Sequence, residues 1–331
     1  MKRLLVIAAM AGGLLAAAPA MAQNARLGYV PTEDHPVGQA SRLFAKLVEE
    51  KTGGRVKIDT FGNGVLGSEP DMQASVQAGF IDIMVGPTPN LVGVVPQFMI
   101  FDLPFFYKDF AAADAVMDGE VGAKLFSQLN EKTGIVGLAW WDNGFRHMTN
   151  KIRPINTVDD MAGINIRVIP NPLFIATWKA LGTNPTPLPW PELYSALENG
   201  AVDAQETPYA LIYTARFYEV QSHLTKTGHV YTPFVLLASR KWFGSLSDED
   251  KALVMEAAKE SATFQREVSR KSAEDLEQEL VAKGFKIIQP TPEALAAMSE
   301  RVAPVVKEYS EKIGVDVVEQ ARAAMAAVAK Q

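Results

Sequence analysis

The stretch Gly163-Ile164-Asn165-Ile166-Arg167-Val168-Ile169-Pro170 places a guanidinium in the middle of an apolar strand pattern. Arginine stays protonated at physiological pH, and burying an isolated cation is costly. We therefore expect Arg167 to meet an anion that either a ligand or the protein itself supplies. The protein's own candidates are three acids in the same half of the chain, Glu192, Asp203 and Glu206.

The segments on both sides of this strand alternate short apolar runs with amphipathic helical patterns. The pattern around it predicts strands at 164–168, 183–188 and 201–205 and helices at 173–181 and 191–199. The N-terminal half shows the same alternation, with strands at 26–30, 55–61 and 81–85 and helices at 37–51 and 69–78. Such alternation is typical of βαβ units and indicates an α/β fold with mostly parallel sheets.

Two longer elements connect the halves. The almost unbroken apolar run at 230–239 predicts a strand that is buried on both faces or crosses between domains. The helical pattern from 248 to 283 would form a helix about 50 Å long at 1.5 Å per residue, which is enough to span two domains. A further helix is predicted at 109–129.

Length and composition narrow the class of protein. A chain of 331 residues with 48% hydrophobic and 21% charged residues fits a globular protein of two domains. Its formal net charge of -6 argues against nucleic acid as a partner. The absence of cysteine excludes thiolate metal sites, disulfides and a thiol nucleophile. A small molecule is the expected partner.

The N-terminus has the features of a secretory signal peptide. Lys2 and Arg3 precede an apolar run, and Ala20-Met21-Ala22 supplies an A-x-A cleavage site. The run is too short and too interrupted for a membrane span. We therefore expect residues 1–22 to be removed and the mature protein to be periplasmic, without a membrane anchor.

No catalytic, metal or cofactor site is predicted. Residues 62–67 match the dinucleotide-binding motif G-x-G-x-x-G, which requires an acid at the end of the following strand. The candidate acid, Asp82, lies at the start of its strand instead. The histidines show no metal-binding pair at i, i+4 spacing, and no G-x-S-x-G motif is present. The sequence instead indicates an anion-binding site at Arg146 and Arg167. A planar guanidinium can hold a carboxylate with two hydrogen bonds.

Several pieces of the sequence resemble the periplasmic solute-binding proteins of tripartite ATP-independent periplasmic (TRAP) transporters, of the dicarboxylate-binding type. The matching pieces lie at 66–69, 76–82, 144–146, 164–168, 192–197 and 202–206. Their order and spacing extend over nearly the whole chain after the signal peptide.

The resemblance implies a two-lobed, type II-like periplasmic binding protein in which each lobe is a mostly parallel sheet flanked by helices, with the long helix spanning both. Lobe I would comprise 24–143 and about 232–272, and lobe II 144–231 and about 273–331, with hinge strands near 143–147 and 228–236. The lobes would close on an organic acid and deliver it to the TRAP permease subunits of the membrane.

The resemblance also implies the binding residues. Arg167 matches the arginine that holds the ligand carboxylate in this family, and Arg146 matches a second arginine seen in many members. Thr207 stands where members often have asparagine, which leaves the identity of the acid open. The other residues expected at the cleft are Thr32, His35, Glu69 and Thr88, with Phe145, Trp190 and Tyr213 as apolar walls.

Two other functions use the same scaffold. A periplasmic enzyme acting on an organic acid would need a general base that the sequence does not supply, and a sensor subunit would present its ligand to a membrane receptor. The ligand class is open as well. Two arginines suit a dicarboxylate, but an arginine paired within the protein would leave a monocarboxylate, a sugar acid or an aromatic keto acid.

Overall fold

The computed structural model describes residues 23–329, except for the side chain of Glu274. Within this range, eleven strands form two separate sheets. The predicted signal peptide lies outside the described residues. The strands are β1 (Gln23–Gly28), β2 (Val56–Phe61), β3 (Ile83–Pro87), β4 (Val136–Phe145), β5 (His147–Asn150), β6 (Asn165–Val168), β7 (Asn184–Pro187), β8 (Ala204–Thr207), β9 (His223–Thr225), β10 (Tyr231–Ala238) and β11 (Lys286–Ile288).

Helices cover both sheets. Within the same residues they are α1 (Pro36–Lys51), α2 (Glu69–Ala78), α3 (Phe110–Met117), α4 (Glu120–Thr133), α5 (Pro172–Ala180), α6 (Trp190–Glu198), α7 (Tyr209–Thr214), α8 (Arg240–Ser245), α9 (Asp248–Ala282), α10 (Pro292–Ile313) and α11 (Val315–Val328). Short 3₁₀ turns at Thr88–Leu91, Pro96–Asp102, Val158–Met161 and Phe217–Glu219 connect them.

The first sheet has the strand order β2-β1-β3-β10-β4, and the second has the order β11-β9-β5-β8-β6-β7. In the first sheet β1 runs parallel to β2 and β3, and in the second β6 runs parallel to β7 and β8. Antiparallel pairs occur where β10 joins β3 and β4 and where β5 joins β8 and β9. The predicted two-lobed α/β architecture is confirmed. We call each sheet with its flanking helices the first and the second lobe.

The chain crosses between the sheets at two adjacent points. The strand β4 ends at Phe145 and β5 begins at His147, and the return path leads from β9 to β10, which begins at Tyr231. The backbone N–H of Arg146, between β4 and β5, donates to the carbonyl of Val230 at 2.9 Å. These crossings lie within the predicted hinge strands, while the lobe boundaries themselves stay predictions.

The long helix α9 packs on both lobes. It starts at Ser247, whose side chain accepts a hydrogen bond from the N–H of Asp250 and caps the first turn. Near its start Val254 and Ala258 belong to a core that includes β1 and β2, whereas Leu280 near its end packs in a core with Leu193. The helix therefore ties the two lobes together along its length, as its length predicts.

Two elements differ from the sequence prediction. The helix predicted at 109–129 is two helices, because the chain leaves the helical conformation at Gly119. The turn between them brings the carbonyl oxygen of Met117 to 1.8 Å from the place where a β-carbon of residue 122 would lie, so only glycine fits there. The last helix, α11, lies in the range predicted for lobe II, but Val318 and Ala321 pack in the first-lobe core. Its apolar face is buried against α3.

Candidate functional site

A cavity lies between the two sheets, at the carboxyl ends of β1, β3, β6 and β8, which is where open α/β sheets bind ligands. About 480 Å³ of space between protein atoms, part of it open to solvent, lies within it. Its walls are formed by Pro31, Glu69, Pro70, Pro87, Asn90, Asn143, Arg146, Arg167, Ile169, Pro170, Pro189, Trp190, Thr207, Leu211 and Phe234.

Arg167 lies in this cavity without an acidic partner among residues 23–329. Its side chain is buried, its Nε donates to the carbonyl of Leu188 at 2.8 Å, and its guanidinium lies 5.9 Å from the centre of the Trp190 ring. Burial lowers the pKa of Arg167 to about 10, so the group is still a cation at neutral pH. Its remaining donors are available to a ligand that enters the cavity.

The acids that could have neutralised Arg167 are engaged elsewhere. Asp203 accepts a hydrogen bond from the amide of Asn165 at 3.1 Å, and Glu206 pairs with Arg146. Glu192 makes no ion pair with Arg167 among the described residues. The protein-side partners considered from the sequence are therefore not the partners of Arg167.

Arg146 forms a two-point ion pair with the buried carboxylate of Glu206. Its Nε lies 2.5 Å from Oε2, its Nη2 lies 2.8 Å from Oε1, and Nη2 also donates to the Glu206 carbonyl at 2.7 Å. His229 adds a contact of 3.1 Å from Nε2 to Oε2. Burial acts to raise the pKa of Glu206, but Arg146 and His229 outweigh it and hold the pKa below its usual value. Arg146 lines the cavity with its charge already compensated.

Glu69 brings an acidic group to the same cavity. It is the first residue of α2, it is buried, and it makes no ion pair with another described residue. Burial raises its pKa, while its own backbone N–H and the charge of Arg167 act in the opposite direction. The N-terminus of α2 also favours the anionic form of Glu69, because a helix N-terminus carries a partial positive charge.

Two further polar atoms in the cavity wall have hydrogen-bonding capacity to spare. The hydroxyl of Thr207 and the amide oxygen of Asn143 are buried and make no hydrogen bond within the described part of the chain. Buried polar atoms nearly always have a partner in native proteins. Both atoms can therefore form hydrogen bonds with a ligand in the cavity.

Five of the ten predicted site residues line the cavity: Glu69, Arg146, Arg167, Trp190 and Thr207. Asn90 and Asn143 also line it and were not predicted. The signal for Asn90 is its position just after β3, where the carboxyl end of a parallel strand opens to the cleft. Asn143 lies in the Asp-Asn-Gly segment at the predicted junction of the lobes.

The other five predicted residues do not line the cavity. The ring of Phe145 packs against Phe110 and Tyr231, each 5.3 Å away, and Tyr213 packs against Tyr218. His35 caps α1 by accepting a hydrogen bond from the N–H of Val37, and its ring contacts Phe234, behind the cavity wall. The remaining two are Thr32, which bonds to Asp34, and Thr88, which is fully buried.

The described residues show neither a membrane span nor a metal site. No helix within 23–329 is both long and apolar enough to cross a bilayer. Over the same range, no three side chains of histidine, aspartate or glutamate come together in a way that could hold a metal ion.

Two lobes joined by two crossings, with a buried arginine free of an ion pair among the described residues in the pocket between them, are the features of a periplasmic ligand-binding protein. Residues 27–312 match the family model of DctP, the bacterial extracellular solute-binding proteins of family 7. The chain belongs to this family. The resemblance to the TRAP solute-binding proteins is thereby confirmed, and with it the prediction of a binding protein and not an enzyme.

Relatives with known structures have the same architecture along their whole length. A sugar acid binding protein from Advenella mimigardefordensis, solved with galactonate, is 41% identical with a TM-score of 0.90, and the match covers 92% of this chain and 98% of that one. A TRAP periplasmic solute-binding protein from Polaromonas, bound to D-erythronate, is 35% identical with a TM-score of 0.88 and coverages of 91% and 98%. A relative found by sequence, the 2,3-diketo-L-gulonate-binding periplasmic protein of Escherichia coli, is 33% identical, and the match covers 81% of each chain.

Proposed function

We propose that the protein is the periplasmic solute-binding subunit of a TRAP transporter, and that it captures an organic acid between its lobes by binding the carboxylate to Arg167. The observation that carries this proposal is a buried guanidinium that faces a cavity and has no acidic partner among the described residues. A carboxylate would supply the missing charge and accept two hydrogen bonds in one plane. The family match and the acids bound by the relatives support the same function.

Ligand capture would be coupled to a hinge motion. Residues from both lobes line the cavity, so a ligand makes all its contacts only when the lobes are closed on it, and it therefore favours the closed form. The two crossings, hydrogen-bonded to each other through Arg146 and Val230, provide the hinge. The closed complex would then be presented to the permease subunits after export through the signal peptide.

A thermal-shift screen of the purified protein against organic acids tests the proposal. A ligand at 100 times its dissociation constant stabilises the folded state by about 2.7 kcal/mol, which raises the melting temperature measurably. The matched control is the alcohol or polyol of the same carbon skeleton, which lacks the carboxylate and should give no shift. The proposal fails if no carboxylate stabilises the protein, or if the control compounds do so equally.

A further inference from the structure

The charged side chains of the cavity are divided unequally between the lobes. Of the lining residues, three are charged: Arg146 and Arg167 on the side of the second lobe, and Glu69 on the side of the first. Because Glu206 already pairs with Arg146, Arg167 is the one cation of the lining that has no ion-pair partner among the described residues. This matches a single carboxylate.

A ligand that bridges the two lobes with its carboxylate on Arg167 brings its other groups to the first-lobe wall of the cavity. The cavity wall there consists of Pro31, Glu69, Pro70, Pro87, Asn90, Asn143 and Phe234, and none of these is basic. A second carboxylate would thus meet an acid and no cation. Hydroxyl groups, in contrast, can donate to the carboxyl oxygens of Glu69 and to the free amide oxygen of Asn143.

We propose that the cleft selects hydroxylated monocarboxylates over dicarboxylates, and that Glu69 determines this selection by accepting a hydrogen bond from a ligand hydroxyl and repelling a second carboxylate. The proposal deepens the proposed function and rests on it, because it takes Arg167 as the anchor. Specificity then arises from an unfavourable interaction with the wrong ligand as well as a favourable one with the right ligand.

The surroundings of Glu69 fit this role. The residue is only 8% exposed, and it makes no ion pair within residues 23–329 that would hold it away from a ligand. Burial raises the pKa of Glu69, and its backbone N–H at the N-terminus of α2 and the charge of Arg167 oppose this rise only in part. A carboxylate oxygen has room for more than one hydrogen bond, so Glu69 can accept from a ligand hydroxyl in addition to its own backbone N–H.

Isothermal titration calorimetry with matched ligands tests the selection. Galactonate and galactarate share a six-carbon hydroxylated skeleton and differ in the second carboxylate, while hexanoate keeps one carboxylate and lacks the hydroxyls. We expect the wild-type protein to bind galactonate at least about tenfold more tightly than either, because like charges brought together and lost hydrogen bonds each cost that much or more. Erythronate and tartrate give the same comparison of a monocarboxylate with a dicarboxylate for a four-carbon hydroxylated skeleton.

The variant Glu69→Gln keeps the shape and an acceptor oxygen but removes the charge. We expect it to lower the preference for galactonate over galactarate by about tenfold. The control variant Glu49→Gln removes the same charge from α1, where Glu49 is half-exposed and pairs with Lys57, and should leave the preference unchanged. The proposal is overturned if the wild-type protein binds the dicarboxylates as tightly as the monocarboxylates, or if Glu69→Gln keeps the full preference. It is also overturned if the protein binds neither galactonate nor erythronate.

The two proposals can fail separately. Arg167→Ala is expected to weaken the binding of every acid in the comparison by at least about a hundredfold. If these acids still bind to Arg167→Ala with unchanged affinity, the carboxylate anchor is wrong and both proposals fall. If Arg167→Ala loses binding but Glu69→Gln does not alter the preference, only the role of Glu69 is wrong.

Discussion

At the scale of single residues, the two arginines of the cleft have different partners and therefore different roles. Arg146 and Glu206 neutralise each other inside the protein, whereas Arg167 donates to a carbonyl and stacks near Trp190. Of the two, Arg167 has its charge available for a ligand. Substituting each arginine should accordingly affect a different property, ligand affinity for Arg167 and stability for Arg146.

Replacing Arg167 by alanine is expected to weaken ligand binding by about 3 to 5 kcal/mol, the range for removing one partner of a buried ion pair. This corresponds to roughly a hundredfold to a few thousandfold in the dissociation constant, measured by calorimetry with the best acid of the screen. Arg301→Ala removes the same charge from an exposed pair with Asp159 and serves as the control. An unchanged affinity of Arg167→Ala would contradict the assignment.

Replacing Arg146 by alanine should instead destabilise the fold by about 3 to 5 kcal/mol, because the carboxylate of Glu206 would stay buried without its main partner. Urea unfolding measures this loss. The double variant Arg146→Met with Glu206→Gln removes both charges and should recover much of the stability. Equal destabilisation of the single and the double variant would show that the ion pair itself provides the stability.

At the scale of elements, α9 is attached to the crossing strand β4 through the backbone of Asp142. The side chain of Gln265 donates to the carbonyl of Asp142 and accepts from its N–H, both at 2.7 Å. Arg270 adds a contact of 2.6 Å from its Nε to the Asp142 carboxylate. Asp142 lies opposite Pro233 of β10, beside an irregularity in the β4–β10 register, and these bonds fix its backbone at that point.

The substitution Gln265→Ala tests this attachment. It leaves a buried N–H and a buried carbonyl unpaired, so we expect a loss of about 2 to 4 kcal/mol in the free energy of unfolding. Gln278→Ala is the same change on the exposed side of the same helix and should cost less than about 0.5 kcal/mol. If the two variants unfold at the same urea concentration, the contact to Asp142 does not stabilise the hinge.

At the scale of the whole molecule, a buried carboxyl joins the two lobes. Asp102, at the end of a first-lobe 3₁₀ turn, accepts a hydrogen bond of 2.8 Å from Asn171, which caps α5 in the second lobe. Burial raises the pKa of Asp102 to about 8, and Asn171 and Arg146 oppose this shift only in part. The folded protein therefore holds this proton more tightly than the unfolded chain, in which the pKa is about 3.9.

The sign of the pH dependence follows from that difference. The contribution of Asp102 favours the folded state most at acidic pH, declines as the pH rises from about 4 to about 8, and is constant above that range. Asp102→Asn cannot ionise, so relative to the wild-type protein it should gain on the order of 2 to 4 kcal/mol between pH 5 and pH 8. Urea unfolding at the two pH values measures this gain. Asp59→Asn, at an exposed strand position, should show none.

Much of the architecture could be predicted from local patterns. The βα alternation and the length of α9 depend on neighbouring residues, and so the sequence indicated these elements within a few positions. The break between α3 and α4 was not predicted, since Gly119 and Gly122 are compatible with a helix until the close approach of the Met117 carbonyl is known. The packing of α11 on the first lobe was missed because an amphipathic pattern does not say which core will bury it.

The sequence by itself determined that Arg167 lies near the carboxyl end of an apolar strand and needs an anion. It also determined that the chain belongs to a recognisable family of binding proteins. Only the tertiary structure decided which arginine keeps its charge free. Arg146 and Glu206 are 60 residues apart, and they meet because β5 pairs with β8 in the register that sets Met148 opposite Glu206. That register depends on long-range packing of the second sheet, which a local pattern cannot specify.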